Sequence, residues 1–319
     1  MKAAIYDKYG PPEVLQIQEI DKPSPEENEV LIRIQATTVC AADWRFRKPD
    51  PFMIRLMNGL RRPKIKILGI ELAGEVEAVG NTVTRFKPGD QIFGSTGFGF
   101  GAYAEYICLP EDGSIALKPS NLSIEEAAAI PVGADTARFF LIEQGNVKKD
   151  QRLLIYGASS SVGTYAVQLA KYLGAEVTAV CSTRNIDWVK DLGADRMIDY
   201  TKEDFTKSGE TYDAIFDAVG KLPIRKAMKA VKEGGVFLDS VGMLRRSIQG
   251  RLATMRNNKR VLGDSASGKL EDLIYIKGLV EAGSLKPVID KKYTFEQIAE
   301  AHRYADTGRK KGNVVITIP

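Results

Sequence analysis

The stretch Arg152–Gly163, RLLIYGASSSVG, decides the fold. A short apolar run (Leu153, Leu154, Ile155) meets a loop of Gly, Ala and Ser. An apolar pattern of helical spacing follows, through Val162, Ala166, Leu169, Ala170 and Leu173. After Gly174 comes a second apolar run, Glu176–Cys181. Strand, tight loop, helix and strand make one βαβ unit of a doubly wound parallel sheet. In such a unit the backbone N–H groups of the loop and of the helix N-terminus converge on one spot, which suits a phosphate. Small residues there let the ligand approach the backbone. The loop therefore reads as the pyrophosphate site of a dinucleotide, with Ser159, Ser160, Ser161 and Val162 facing the cofactor. Against the usual G-x-G-x-x-G pattern, the chain has Ala158-Ser159-Ser160-Ser161-Val162-Gly163. Ser160 replaces the middle glycine, so serine hydroxyls are expected to supply hydrogen bonds.

The end of the second strand bears on the choice between NAD and NADP. An NAD site carries an acid about 20 residues on, for the ribose 2′-hydroxyl. Here the residues are Cys181-Ser182-Thr183-Arg184. Hydroxyls and a guanidinium suit a 2′-phosphate, which a carboxylate would repel. Ser182, Thr183 and Arg184 are the expected NADPH contacts. A plainer reading stands beside this one, in which Ser182 or Thr183 caps the next helix and Arg184 is a solvated first-turn residue. Asp187 leaves an opening for NAD.

Outward from this unit, strands are expected at 152–156, 176–181, 196–199, 213–217 and 235–239. Helices are expected at 162–173, 184–192, 202–206 and 222–232, giving a parallel sheet with crossovers. Upstream, Ser123–Glu126 is a capping box and Pro131–Gln144 reads as a helix. The first part of the chain is mostly β, with strands at 2–7, 14–20, 29–35, 67–83, 91–93 and 101–109 and turns between them, which fits a partly closed barrel. Cys40–Trp44 begins a short helix with Asp43 near its cap. Pro49–Pro63 reads as a long irregular loop. Lys269–Ala282 and Phe295–Thr307 are amphipathic helices, and Asn313–Ile318 is a closing strand.

With 319 residues the chain has room for two domains, and 27% charged with 44% apolar residues is ordinary for a soluble enzyme. No apolar run reaches the roughly 20 residues of a membrane span. The N-terminal segment has no apolar core of the secretory kind, so a cytoplasmic location is expected. A charge of +4 does not by itself imply nucleic acid. Cys40, Cys108 and Cys181 are far apart, and His302 is the single histidine. A disulfide framework and a Cys-rich zinc lobe are therefore not expected. The basic run 244–260 could meet RNA, an anionic membrane or a dimer partner. Its plainer reading is a solvated helix face, and no nucleic-acid partner is expected.

Several stretches together resemble the medium-chain dehydrogenase/reductase superfamily, in its zinc-independent, quinone oxidoreductase-like branch. They are Gly69–Val83 (GIELAGEVEAVGNTV), Phe86–Asp90 (FKPGD), Gly101–Tyr106 (GAYAEY), Gly157–Gly174, Leu192–Tyr200 (LGADRMIDY), Asp217–Gly220 (DAVG) and Lys311–Ile316 (KGNVVI). The resemblance implies a GroES-like, partly open β-barrel catalytic domain from residues 1–120 plus 285–319. Residues 121–284 would form a Rossmann domain. By position it implies cofactor contacts at Thr136, Tyr200, Lys311 and Asn313. The strand ends Asp217-Ala218-Val219 and Ser240-Val241-Gly242 fall at the carboxyl edge where such sheets bind ligands. Trp44 and Tyr103 are the candidates for the substrate cleft, each with core packing as its plain alternative. Tyr103 and Tyr6 are the only tyrosines considered as proton donors, and no general acid is assigned. His302 falls in a helix that resembles a surface helix of the family.

Zinc-dependent relatives use a Cys-x-x-Asp stretch, a Gly-His-Glu histidine and a third ligand further on, a cysteine or an acid. Here Cys40-Ala41-Ala42-Asp43 matches the first, Gly69-Ile70-Glu71 lacks the histidine, and Val132–Asp135 offers no cysteine. A catalytic zinc normally takes three protein ligands, so no zinc is expected. The resemblance then implies hydride transfer from NADPH to a quinone or α,β-unsaturated carbonyl, and a homodimer. The alternative is a catalytically weak NADPH-binding scaffold of the same fold.

Overall fold

The computed structural model describes residues 1–241, 258–266 and 268–319. In chain order the strands and helices begin with β1 (Lys2–Ile5), β2 (Gln16–Glu19), β3 (Glu29–Thr38), α1 (Ala41–Arg47), α2 (Ile54–Asn58), β4 (Glu71–Val79), β5 (Gln91–Ser95), β6 (Tyr106–Pro110), β7 (Ile115–Leu117) and α3 (Ile124–Ala128). Then come α4 (Pro131–Arg138), β8 (Arg152–Tyr156), α5 (Ser161–Tyr172), β9 (Glu176–Cys181), α6 (Ile186–Lys190), β10 (Arg196–Asp199), β11 (Tyr212–Asp217), α7 (Ile224–Ala230), β12 (Val231–Asp239) and β13 (Arg260–Leu262). The chain closes with α8 (Leu270–Glu281), β14 (Ile289–Thr294), α9 (Ile298–Asp306) and β15 (Asn313–Thr317). Two compact units divide it. One comprises Met1–Val132, Gly268–Glu281 and Pro287–Pro319. The other comprises Gly133–Ser267 and Ala282–Lys286.

The second unit holds a six-stranded sheet in the order β10-β9-β8-β11-β12-β13, parallel throughout. The order reverses between β8 and β11, which makes that point the topological switch where ligands of open α/β sheets bind. The strands read as continuous apolar runs because helices cover a parallel sheet on both faces. Leu153, Leu154, Ile155, Val177, Ile215, Phe216 and Phe237 are all inaccessible to solvent.

The first unit holds a seven-stranded sheet in the order β14-β15-β3-β4-β5-β7, with β6 also on β3. The C-terminal strand β15 pairs antiparallel with the end of β3, Val315 facing Thr38, and parallel with β14. The last strand of the chain thus completes a sheet begun near its start. The small β1–β2 pair joins through Ala3 opposite Ala104 and Ile5 opposite Ile67. Ile32, Ile34, Leu72, Val76, Ile92 and Ile316 fill the barrel core. No helix among the described residues is long and apolar enough to cross a membrane.

Several expected elements change. The stretch 49–63 is not wholly irregular, because α2 forms inside it with Ile54 and Asn58 buried. The expected helix at 202–206 is only a 3-10 turn at Phe205–Lys207, capped by Asp204. The helix expected through 131–144 turns π-helical from Phe139 to Gln144. Strand β14 escapes the sequence pattern because it is an edge strand whose lysines, Lys291 and Lys292, break the alternation, as protected edges do. Most of the basic run, and Gly242 with it, lies outside the described residues.

Candidate active site

The loop after β8 has two forced glycines. Gly157 takes φ +81°, and a Cβ there would lie 2.7 Å from a methyl of Val219, in the loop after β11. A Cβ on Gly163 would come 2.2 Å from the carbonyl oxygen of Gly157. The switch-point loops are therefore packed backbone to side chain, leaving room only for small residues. The middle serine has a structural duty as well. Ser160 is the N-cap of α5, its Oγ accepting the Gly163 N–H at 3.0 Å. Serine takes the glycine's place by closing the helix end, a role hydroxyl side chains fill well.

Asn185 was not foreseen. It is 4% exposed and donates from Nδ2 to Ser159 Oγ (3.1 Å) and Ser182 Oγ (3.2 Å), while Trp188 Nε1 donates to its Oδ1 at 3.2 Å. One buried amide thus clips the loop after β8 to the loop after β9. The signal was present as an Asn inside the expected helix 184–192, where such a side chain favours local hydrogen bonding over the helix interior. Helix α6 in fact starts only at Ile186, after the 3-10 turn Thr183–Asn185.

An acid also stands near the second strand end, supplied by the neighbouring strand. Asp199, at the end of β10, accepts hydrogen bonds from the Thr183 hydroxyl and from the N–H (3.0 Å) and hydroxyl (2.7 Å) of Thr201. Those donors, the Thr183 hydroxyl first, pull its carboxyl down to about 2. The Thr183 proton therefore points at Asp199 and not outward. Tyr200 is 54% exposed, with its ring 6.3 Å from that of Tyr156.

Asp217 builds its own loop. Its carboxylate accepts the N–H groups of Val219 (3.1 Å), Gly220 (2.9 Å) and Leu222 (2.6 Å). Burial pushes it up to about 6 against the pull of those bonds. With its oxygens so engaged it shapes the Ala218–Val219 turn instead of offering an oxygen to a ligand. Ser240 Oγ donates to the Asp217 carbonyl at 2.8 Å, and the exposed Val241 has its N–H on Asp239 at 3.0 Å. Thr136 is half-buried on α4.

In the first unit the polar residues turn inward. Arg47, wholly buried, donates to Asp306 (2.5 Å), to the Gly10 carbonyl (2.6 Å) and to His302 Nδ1 (3.3 Å). His302 Nε2 meets the Tyr103 hydroxyl at 3.0 Å, and Tyr103 donates to the Thr38 carbonyl at 3.1 Å. These partners fix the tautomer. Nδ1 accepts from Arg47, so the imidazole is neutral and its Nε2–H donates to Tyr103. Burial, reinforced by the Arg47 charge, holds His302 well below its usual range. Burial likewise holds the Tyr103 phenol well above its own. Tyr103 takes its plainer reading, as a fully buried link in this chain, and His302 lies on the inner face of α9. Tyr6 is equally buried, its oxygen accepting from Asn58 Nδ2 at 3.0 Å. Neither tyrosine is placed to donate a proton to a ligand.

Asp43 closes the start of α1 by accepting the N–H of Cys40 (2.8 Å) and also that of Gly69 (3.0 Å). Glu71 accepts from the Thr38 hydroxyl and the Val132 N–H (2.8 Å). Desolvation raises Asp43 to about 6 and Glu71 to about 7. The Cys40 thiol is held high by burial and then by those carboxylates. Trp44 is half-buried, with the Lys48 ammonium 4.5 Å from its ring. Lys311 donates its N–H to Asp290 at 2.8 Å, and the buried Asn313 donates from Nδ2 to the Val288 carbonyl at 3.2 Å. The Asn313 amide thus ties the start of β15 to the segment before β14.

The two sheets define a class: a doubly wound dinucleotide-type unit joined in one chain to a GroES-like barrel. Residues 26–119 match the family described as alcohol dehydrogenase GroES-like domain, and residues 192–316 match the zinc-binding dehydrogenase family. The chain is 34% identical to a 2-methylene-furan-3-one reductase of Solanum lycopersicum, over 99% of this chain and 79% of the relative. It is 33% identical to a chloroplastic quinone-oxidoreductase of Triphysaria versicolor, over 99% and 98%. With a chloroplastic NADPH-dependent alkenal/one oxidoreductase of Arabidopsis thaliana it shares 30%, over 99% and 79%. Among solved structures, the quinone oxidoreductase of Coxiella burnetii superposes with a TM-score of 0.89 at 30% identity, covering 100% of this chain and 99% of that one. The chain belongs to the medium-chain dehydrogenase/reductase superfamily, in its quinone oxidoreductase-like branch, and is an oxidoreductase.

Proposed function

We propose that the protein is an NADPH-dependent, zinc-independent reductase acting on a quinone or an α,β-unsaturated carbonyl. The observation that carries the reading is the cradle at the switch point, where Gly157 and Gly163 leave no space for a Cβ and a serine-rich helix start faces the sheet edge. The residues present fit a dinucleotide. The N–H groups at the start of α5 suit its pyrophosphate, with Ser159, Ser161 and Val162 around them. Arg184, Ser182 and the exposed Tyr200 supply the donors for a 2′-phosphate. The Thr183 hydroxyl is engaged by Asp199 and is not counted among these donors. Within the same unit, Ala218, Val219, Ser240 and Val241 follow the ends of β11 and β12, and Thr136 sits on α4. A bound NADPH supplies hydride. The name of the Arabidopsis relative, an NADPH-dependent alkenal/one oxidoreductase, supports the same cofactor.

The donors around Cys40 do not fit a catalytic zinc. Isoleucine stands at position 70, and its side chain cannot bind a metal. Asp43 and Glu71 each use both oxygens on protein donors. The described residues hold no group of three His, Cys, Asp or Glu able to share an ion. The stretch matching the zinc-binding dehydrogenase family begins at residue 192, beyond these positions. Acceptors whose reduction needs hydrogen-bond donors and no Lewis acid suit such a site, and the names of the tomato and Triphysaria relatives point to the same acceptors.

The test is NADPH absorbance loss with a panel of short quinones and enones, run with and without a chelator. Turnover unaffected by the chelator is expected. Tight NADPH binding with no turnover on any acceptor would favour a scaffold, and chelator-sensitive turnover would restore the metal.

A further inference from the structure

The exposed large side chains of the described surface concentrate in one short segment. Phe52, Leu56, Met57 and Leu60 are 59–67% exposed. Helix α2 is inverted relative to an ordinary surface helix. Ile54 and Asn58 point inward, and the apolar Leu56 and Met57 point to solvent. Phe98, also exposed, lies 6.4 Å from Phe46 of α1, the helix that packs on α2. Solitary exposed apolar residues are common, but a contiguous group of this kind marks an interaction surface.

The charges around it select the partner. Between Pro51 and Ile70 the charged residues are Arg55, Arg61, Arg62, Lys64 and Lys66, with no Asp or Glu. Lys66 is paired with Asp7 at 2.7 Å. Arg61, Arg62 and Lys64 are exposed and make no ion pair among the described residues. A second copy docked face to face would set these cations against their own equivalents, since a two-fold contact is self-complementary. An anionic bilayer meets both halves of the pattern, apolar tips entering the acyl boundary and cations reaching the headgroups. We propose that the segment Pro51–Lys64 docks the protein reversibly on anionic membrane surfaces.

The experiment is co-sedimentation of the full chain with vesicles of phosphatidylcholine alone or mixed with phosphatidylglycerol, at low and high salt. Binding to the mixed vesicles should exceed binding to phosphatidylcholine by about tenfold or more and weaken with salt. Leu56→Ser with Met57→Ser should abolish the gain, and Arg61→Glu should reduce it several-fold. Lys190→Glu, an equal change of charge at an exposed site outside the segment, should leave it intact. Three results would overturn the proposal: no preference for anionic vesicles, equal loss in Arg61→Glu and Lys190→Glu, or a concentration-dependent dimer that Leu56→Ser with Met57→Ser dissociates.

Discussion

The strand ends of the parallel sheet and the interior of the barrel use similar side chains to opposite ends. At the sheet edge, the polar groups hold the loops in place. Asn185 clips Ser159 to Ser182, Ser160 caps α5, and Asp199 is covered by Thr183 and Thr201. Arg184 and Tyr200 are left at the surface beyond them. In the barrel, the buried Arg47, His302 and Tyr103 run in one chain from the part-exposed Asp306 to the Thr38 carbonyl. The difference is in exposure: Arg184 and Tyr200 face solvent, whereas Arg47, His302 and Tyr103 are wholly buried. A histidine, a tyrosine and an arginine in contact look catalytic as a list of residue types. Satisfied by one another and sealed from water, they act as a fastening between α1, α9 and the barrel wall.

The largest effect should come from breaking that fastening. Arg47→Ala leaves the Gly10 carbonyl and His302 Nδ1 without their donor and the part-exposed Asp306 with Lys48 alone, at 3.5 Å; each buried acceptor left unpaired costs about 1–3 kcal/mol. Thermal unfolding should show this loss, while NADPH affinity in the folded fraction stays unchanged. A fall in affinity with little destabilisation would move the chain from structure to function.

Glu71 comes next. Its carboxyl is raised from 4.5 to about 7 by burial, so the folded state holds a proton that the unfolded state releases. Stability from this group is therefore complete below about pH 4.5 and declines as pH rises toward 7, by on the order of 3 kcal/mol at most. Asp43 and Asp217, both raised to about 6, act in the same direction. Glu71→Gln should flatten, without abolishing, the fall in stability between pH 4.5 and 7 measured by denaturant titration. An unchanged slope would show that Glu71 ionises normally in the fold.

A smaller effect belongs to the sheet edge. Asn185→Ala removes the amide joining two loops, costing about 1–2 kcal/mol of stability. If the clip positions the phosphate loop, NADPH affinity also falls, read by fluorescence titration. Lost stability with unchanged affinity would make Asn185 a packing residue alone.

How far the sequence reveals each region follows from the same comparison. The β8–α5–β9 unit is local: its strands, its glycines and its helix spacing lie within 30 residues of chain, so pattern and propensity point one way. The barrel chain is not local, since Arg47 and His302 are 255 positions apart and no spacing rule joins them. Hence the sequence leaves Tyr103 open between cleft and core, and puts His302 on a helix without showing its partners. Asp199 was missed at the cofactor edge for a related reason. It belongs to β10, and only the parallel register, Asp199 beside Cys181, brings it next to Thr183.

Arg184 tests the central claim most directly, because it separates a cofactor edge from a merely solvated one. NADPH and NADH are titrated by calorimetry into the unaltered protein and into Arg184→Ala. A guanidinium on a phosphate makes charge-assisted bonds worth about 1.5–3 kcal/mol, roughly a 10- to 100-fold change in affinity. NADPH should bind far more tightly than NADH, and the variant should lose most of that advantage while NADH is unaffected. Equal binding of the two cofactors, or equal loss of both in the variant, would contradict the assignment.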